Sequence, residues 1–498
     1  MTAWLAAWGM MTAMGGTGLR YAEDQAPAIV NPLFTTSMSE ARLNELLFDG
    51  LYTDDHELRS TPRLASSSTV AEDRKSMTVE LRTDVRWHDG QPFTSADVVF
   101  TIKAMKDSAT ASSEAGRVAW ITSVEASGPH TVEIRFVSPE YAPEDKLHFK
   151  ILPAHAFSGG LPVSRTDTFR HRPIGTGAFY LQSFNDDNSV TLQGGHDANL
   201  SEVSMREVSD KSYQAKLLIY QSLEALVRVL PRDLATLQND RRVELYPYQT
   251  NSWWYVGFNQ KVDRFADPRV RQALALMMNV PDLLAPIGTG DLLTGPFVRS
   301  SPFYNHQVPL RPNDPDRAAD LLTEAGYTFN GRYWVGTDGK DLTVRLTTPQ
   351  SLETAQDVVI NLQSQLQTRG VRVEPEFLGG PEWKQRIWRD RDFDAVLSMW
   401  SFDRNEDVYP QLHSTGSRNF VAYDNPEVDT LLDQARLADD PHEKKAALRQ
   451  VHALVAEDVP MVFLWTLDSY SAVSVSVKDV VVHPFYFFTW AREWRLAE

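Results

Sequence analysis

The chain contains no cysteine. That excludes disulfides, thiolate metal sites, cysteine nucleophiles and a lipid-modified amino-terminal cysteine in the chain as given. It also fits export, where stray thiols are a liability. Clustered positive charge is equally missing: 49 Lys and Arg stand against 66 Asp and Glu, the net charge is −17, and no basic run occurs. Nucleic acids and anionic membranes both need concentrated positive charge, so neither is expected as a partner. No segment reaches the ~20 apolar residues of a spanning helix, so no direct membrane insertion is expected. Residues 1–17, MTAWLAAWGMMTAMGGT, come nearest. They are apolar and end in small residues like the core of a secretory signal, yet the first basic residue, Arg20, follows the run. They are read as a signal remnant or atypical signal, against a mis-called start or a disordered tail.

Catalytic constellations are missing too. The chain has no G-x-S-x-G elbow, H-E-x-x-H pair, phosphate loop or EF-hand loop. Its 12 histidines are scattered. No metal and no cofactor is expected, and the chain is not expected to be an enzyme. A glycosidase would need two carboxyls at a set separation, which 66 acidic residues cannot single out without geometry.

What is present is a globular chain of 498 residues, 42% hydrophobic and 23% charged, long enough for about three domain-sized units. Pro32 to Tyr52 reads as a loop and a helix with Ser39 as N-cap, Leu43, Leu46 and Leu47 as its apolar face and Gly50 at its end. Val79–Arg82 and Val132–Phe136 alternate with period two, as half-buried antiparallel strands do. Between them, His88-Asp89-Gly90 makes a turn and Thr94-x-x-Asp97 a capping box, structural devices without chemistry of their own. The glycines of Arg172-Pro-Ile-Gly-Thr-Gly-Ala-Phe179 are expected to serve a tight turn between units. Further on, Asp267-Pro268, Asp314-Pro315, Asn425-Pro426 and Asp440-Pro441 each put an N-cap acceptor before a proline at the first helical position. Strands at Leu342–Leu346, Val371–Phe377 and Ala395–Met399 alternate with helices, notably Leu352–Leu366, which predicts an open, largely parallel α/β sheet.

Phe393 to Tyr423, FDAVLSMWSFDRNEDVYPQLHSTGSRNFVAY, is the stretch where function is sought. A buried apolar strand, Ala395 to Leu397, runs into Trp400, Phe402 and Asp403. An aromatic strand end with a carboxylate suits a ligand pocket at the carboxyl end of an α/β sheet. Trp253, Trp254, Trp383, Trp388 and Trp400 could stack sugars or apolar side chains, although most tryptophans in a chain this size belong to cores.

Several stretches together resemble the peptide-binding family of bacterial ABC-importer solute-binding proteins, which includes dipeptide and oligopeptide receptors. They are NPL with LLFDGLY (31–52), LRTDVRWHDGQPFTSADVVFT (81–101), PIGTGAFYL (173–181), GFNQ with DPRVRQALALMMN (257–279) and DPDRAADLLTEAGY (314–327). The resemblance implies a two-lobed, periplasmic-binding-protein-like α/β fold of type II that closes on its ligand, with an extra β-rich subdomain. The expected division is 18–52 and 171–257 in the first lobe, 53–170 in the β-rich subdomain, 258–467 in the second lobe, and 468–498 returning to the first. It implies a periplasmic or otherwise exported, monomeric receptor that hands a small peptide to ABC permease subunits. By the same resemblance, Asp403 takes the ligand's α-ammonium, while backbone at Met399 and Ser401, and near Met38, pairs with the peptide main chain. Trp400, Trp253 and Trp254 complete the expected site, and Arg404, Glu406 and Asp407 are left to the rim or surface.

Two departures stand out. Oligopeptide receptors carry an arginine where this chain has Leu397, and dipeptide receptors carry one at the start of the helix near Ser351, where TTPQSLETAQ has none. The carboxylate half of a peptide site is therefore not visible. A receptor for an oligosaccharide or a nickel or other metal chelate is the alternative, with an aromatic-lined site or an inward histidine such as His413. A glycoside hydrolase is the remote one.

Overall fold

The structure is a computed structural model and describes residues 18–140, 142–157, 159–352, 354–402, 406–438 and 440–497. Residues 1–17, the expected signal remnant, lie outside these. The chain divides into two compact units, one of residues 1–248 and 469–498, the other of residues 249–468.

In the first unit, strand β1 (Gly18–Glu23) leads to helix α1 (Met38–Leu47). The N-cap of α1 is Ser37, not Ser39, because a complete capping box forms between Ser37 and Glu40. The helix stops at Leu47, and Phe48 rather than Gly50 is its C-cap. Strands β2 (Ala65–Val70), β3 (Ser76–Leu81), β4 (Ile121–Gly128) and β5 (Thr131–Phe136) form an antiparallel sheet in the order β2-β3-β5-β4. Helix α2 (Ser95–Lys106) packs on it, opened by the expected Thr94/Asp97 capping box. Asp97 also accepts from the Trp87 indole at 3.2 Å and from Ala154 N–H at 2.8 Å, so Trp87 and Asp97 pin turn and helix together.

Strands β6 (Phe179–Phe184), β7 (Val190–Gly194), β8 (Glu202–Glu207), β9 (Ala225–Leu226) and β10 (Val243–Tyr248) join β1 and the returning strand Ser469–Ser474. They make a seven-stranded sheet, with β1 parallel to both β8 and β9. The glycines before β6 serve a close approach within this unit rather than a turn between units. A Cβ added at Gly175 would stand 1.7 Å from the Leu47 carbonyl oxygen, and Gly177 N–H caps that carbonyl at 2.9 Å.

The second unit is built on five strands: β11 (Ser252–Phe258), β12 (Thr343–Pro349), β13 (Arg372–Leu378), β14 (Ala395–Ser401) and β15 (Met461–Phe463), in the order β13-β12-β14-β11-β15. The sheet is mixed. β12 runs parallel to β13 and β14, but β11 runs antiparallel to β14 and β15. The expectation of a largely parallel sheet is corrected by β11: its apolar run, WWYVGFN, reads as a buried strand but does not reveal the strand's direction. Its pairing over seven residues with β14 also puts 252–258 in this unit, so the observed boundary falls at 249 and not at 258.

All four Asx–Pro pairs open helices as expected: Asp267 opens α3 (Pro268–Met277), Asp314 opens α4 (Pro315–Glu324), Asn425 opens α6 (Pro426–Leu437) and Asp440 opens α7 (Pro441–Asp458). Helix α5 (Ala355–Thr368) bridges β12 and β13. The two faces of the sheet bury separate cores. One holds Trp254, Val256, Ala395 and Leu397, the other Trp253, Tyr255 and Val396. A strand covered on both faces needs no apolar–polar alternation, which is why WWYVGF and AVL are unbroken apolar runs.

Candidate functional site

The last residues of β14 combine an aromatic cluster with a backbone edge that no described strand pairs, both within the second unit. Phe402 N–H donates to Asn251 O at 2.7 Å, continuing the antiparallel register in which Trp400 faces Trp253 and Ser401 faces Ser252. Hydrogen-bonded pairs alternate along such a ladder. Phe402, Trp400 and Ser398 therefore direct their peptide groups to β11, while Ser401, Met399 and Leu397 direct theirs to the opposite side. On that side β12 pairs only with Ala395 and Val396. Among the described residues, no strand is paired there with Met399 or Ser401. Met399 is half-buried and Ser401 exposed.

Trp400 shares the face of Trp253 and Tyr255. Its ring lies parallel to Tyr255 within 3° at a centroid distance of 6.4 Å, packs on Phe420 at 5.5 Å and meets Trp388 edge-on at 6.4 Å. Burial pushes the Tyr255 hydroxyl far up, so it stays protonated. Trp388 is 42% exposed and lies in a π-helical turn, Lys384–Asp390. The Arg418 guanidinium sits 5.7 Å from the Trp400 ring and that of Arg391 4.7 Å from Phe420. Sequence reasoning passed over both arginines, since cation–ring contacts across loops leave no spacing signal.

The remaining expected residues fall in different places. Asp403 and Arg404 lie outside the described residues. Trp253 and Trp254, expected to offer ring faces, are 1% and 4% exposed and belong to the two cores. Trp253 packs on Tyr255, Phe402 and Phe463, and Trp254 on Trp465, because adjacent residues of a strand point to opposite faces. Leu397 is fully buried beside Trp254. Glu406 is not a surface residue: it is 6% exposed, and Ser301 Oγ donates to it at 2.5 Å. Asp407 is exposed and pairs with Arg436 at 2.6 Å. His413, the histidine of the chelate alternative, is buried in stacking on Tyr409 at 4.2 Å, with Asp429 3.8 Å away. Met38, in the first unit, is the first residue of α1 and 51% exposed. Among the described residues, no group of three His, Asp or Glu is placed to hold a metal.

The mixed and antiparallel sheets, in two units joined by two chain crossings, place the protein among two-lobed α/β periplasmic-binding-protein folds. A solved structure of the oligopeptide-binding protein AppA from Bacillus subtilis, in complex with a nonapeptide, matches with a TM-score of 0.76 and 24% identity. That match covers 96% of this chain and 99% of that one. NikZ from Campylobacter jejuni, in complex with Ni(L-His), matches over the same shares at a TM-score of 0.77 and 24% identity. By sequence alone, AppA is 24% identical over 92% of this chain and 88% of its own length. Protein XP55 of Streptomyces lividans is 27% identical over 85% and 79%. The profile of the bacterial extracellular solute-binding proteins, family 5 Middle, matches residues 59–421. The chain belongs to that family.

Proposed function

We propose that this protein is the exported receptor of an ABC importer, located in the periplasm or otherwise outside the cytoplasm. It captures a peptide or peptide-like ligand and delivers it to permease transmembrane subunits; its role is capture, not turnover. The observation that carries this reading is the edge at Met399 and Ser401. Two residues whose peptide groups face away from β11, beyond the reach of β12, offer a template for one more strand. Main-chain pairing accepts any peptide, so side-chain selectivity is loose. A relative named as an oligopeptide-binding protein and solved with a nonapeptide supports the same ligand class.

In this reading Asp403 takes the ligand ammonium and Trp400 packs on a ligand side chain. No helix among the described residues is long and apolar enough to cross a membrane. A thermal-shift screen of di- to pentapeptides, short glucans and nickel chelates tests the ligand class, since a ligand raises the melting temperature with concentration. Stabilisation by peptides alone supports the reading, and stabilisation by glucans or chelates alone refutes it. An Asp403→Ala variant that binds peptides unchanged removes the ammonium assignment.

A further inference from the structure

We propose that the aromatic cluster at the end of β14 anchors a carboxylate of the ligand on the Arg418 guanidinium, with the charge of Arg391 in support, so that carboxylate-bearing peptides are taken in preference to neutral ones. The inference rests on the receptor reading above. It adds the anionic half of the site, for which neither Leu397 nor the helix start near Ser351 supplies an arginine.

Charge accounting singles out these two side chains. Three arginines of the same unit have acids of their own: Arg345 meets Asp392 at 2.7 Å, Arg386 meets Glu376 at 3.0 Å and Arg436 meets Asp407 at 2.6 Å. Arg391 and Arg418 do not. Among the described residues neither guanidinium has an ion pair or a hydrogen bond, and each rests on a ring instead. The acids that flank Arg391 are already engaged, Asp390 by Gln385 at 2.9 Å and Asp392 by Arg345. Burial pushes the Arg391 guanidinium down, as expected of a cation that has lost water without gaining an acid.

Arg418 is the cation that a ligand can reach, because its side chain is exposed. Its loop is held from within. Arg418 N–H donates to Pro410 O at 2.8 Å, and the buried Asn419 donates through Nδ2 to His413 O at 3.1 Å and Tyr423 O at 2.7 Å. A guanidinium on a fixed loop and beside a ring loses little freedom when it binds. Trp400 and Phe420 touch at 5.5 Å, so both cations belong to one cluster, and Trp388 offers apolar surface on it. A carboxylate is the complement of such a group, since it is planar and accepts two parallel N–H bonds from one guanidinium. The net charge of −17 repels anions from the protein as a whole, so a preference for acids has to arise locally.

The test presents full-length protein with four mixtures of random di- to pentapeptides. They are free acids or carboxy-terminal amides, each with Asp and Glu either present or replaced by Asn and Gln. Retained peptides are read by mass spectrometry. Calorimetry then gives the affinity of one retained peptide and of its neutral counterpart. The carboxylate-bearing member is expected to bind about tenfold more tightly, as a charge-assisted bond allows. The acid–amide pair tells a terminal carboxylate from a side-chain one. Arg418→Gln should abolish the preference and leave the affinity of the neutral peptide in place, while Arg418→Lys should keep part of it. Peptides retained without enrichment of carboxylates overturn this inference and leave the receptor reading standing. No peptide retained from any mixture overturns both. A preference that survives Arg418→Gln overturns the assignment to Arg418. The mixtures on the unsubstituted protein decide the main point even if a variant does not fold.

Discussion

Beside α1 the groups that meet are side chains, Glu45 with Lys150, Glu114 with Arg117 and Asp54 with His483, whereas at the end of β14 the groups on offer are peptide N–H and C=O flanked by aromatic rings. The first arrangement is made of particular side chains and is lost with them. The second is written in backbone geometry, so most substitutions leave it standing. Side chains at β14 chiefly hold the strand in place, and the cores on its two faces do most of that work.

This contrast can be broken at several points. The largest expected effect is on the scaffold behind β14. Trp253→Ala should cost about 3–5 kcal/mol in urea unfolding, as large-to-small changes in packed cores do. A loss under 1 kcal/mol would mean that Trp253 is not core.

Next comes pH. Burial, with a smaller contribution from His306, pushes His452 down to about 4. His452 is fully buried beside Thr294 and Tyr304. Its folded pKa lies below the unfolded value of about 6.5, so its contribution is complete above pH 6.5 and drains away as pH falls through 4. The unfolding free energy should drop by about 3 kcal/mol over that window, and His452→Gln should flatten the drop. The pH sensitivity of the second unit would then reside in its core and not at its strand edge.

Lys150→Met leaves Glu45 with only its hydroxyl partner, Thr489. The pair is not wholly buried, so the expected loss is about 2 kcal/mol, with peptide binding unchanged. Any fall in peptide affinity would tie the side chains beside α1 to the main ligand and erase the contrast.

Ser401→Pro removes an N–H that faces away from β11, so the melting temperature should hold while peptide affinity falls about tenfold, or ~1.4 kcal/mol. Trp400→Pro removes a ladder bond and should lower stability instead. The smallest effect is at Met38, where Met38→Ala should move stability by less than about 0.5 kcal/mol because half of that side chain is already in water.

Much of the fold was legible because its signals are local. An Asx residue before proline caps a helix with its own neighbours, and all four such pairs did so. The Thr94/Asp97 box and the alternating strands of the β2–β5 sheet are short-range in the same way. The candidate site was legible as a stretch but not as an arrangement. Met399 and Ser401 could be named from sequence, but not the reason their backbone is open, which depends on where β12 stops pairing. Trp253, Trp254 and Trp400 carry the same side chain, and only the pleat and its neighbours make two of them core and one half-exposed. Glu406 looked like one more solvated acid in a charged run until a residue about a hundred positions away, Ser301, was found to bury it.

The sequence by itself determined the Asx–Pro caps and the Thr94/Asp97 box, the lack of thiol chemistry in the chain, and the two-sided burial of WWYVGF and AVL, all from residue type and spacing, and its resemblance to known relatives gave the family. Tertiary structure decided that β11 runs antiparallel to β14, that Gly175 and Gly177 face the end of α1, and that Asn44 Oδ1 is buried without a donor among the described residues. Strand direction, close backbone approach and hydrogen-bond satisfaction all depend on groups far apart in the chain, and no local pattern records which of them meet.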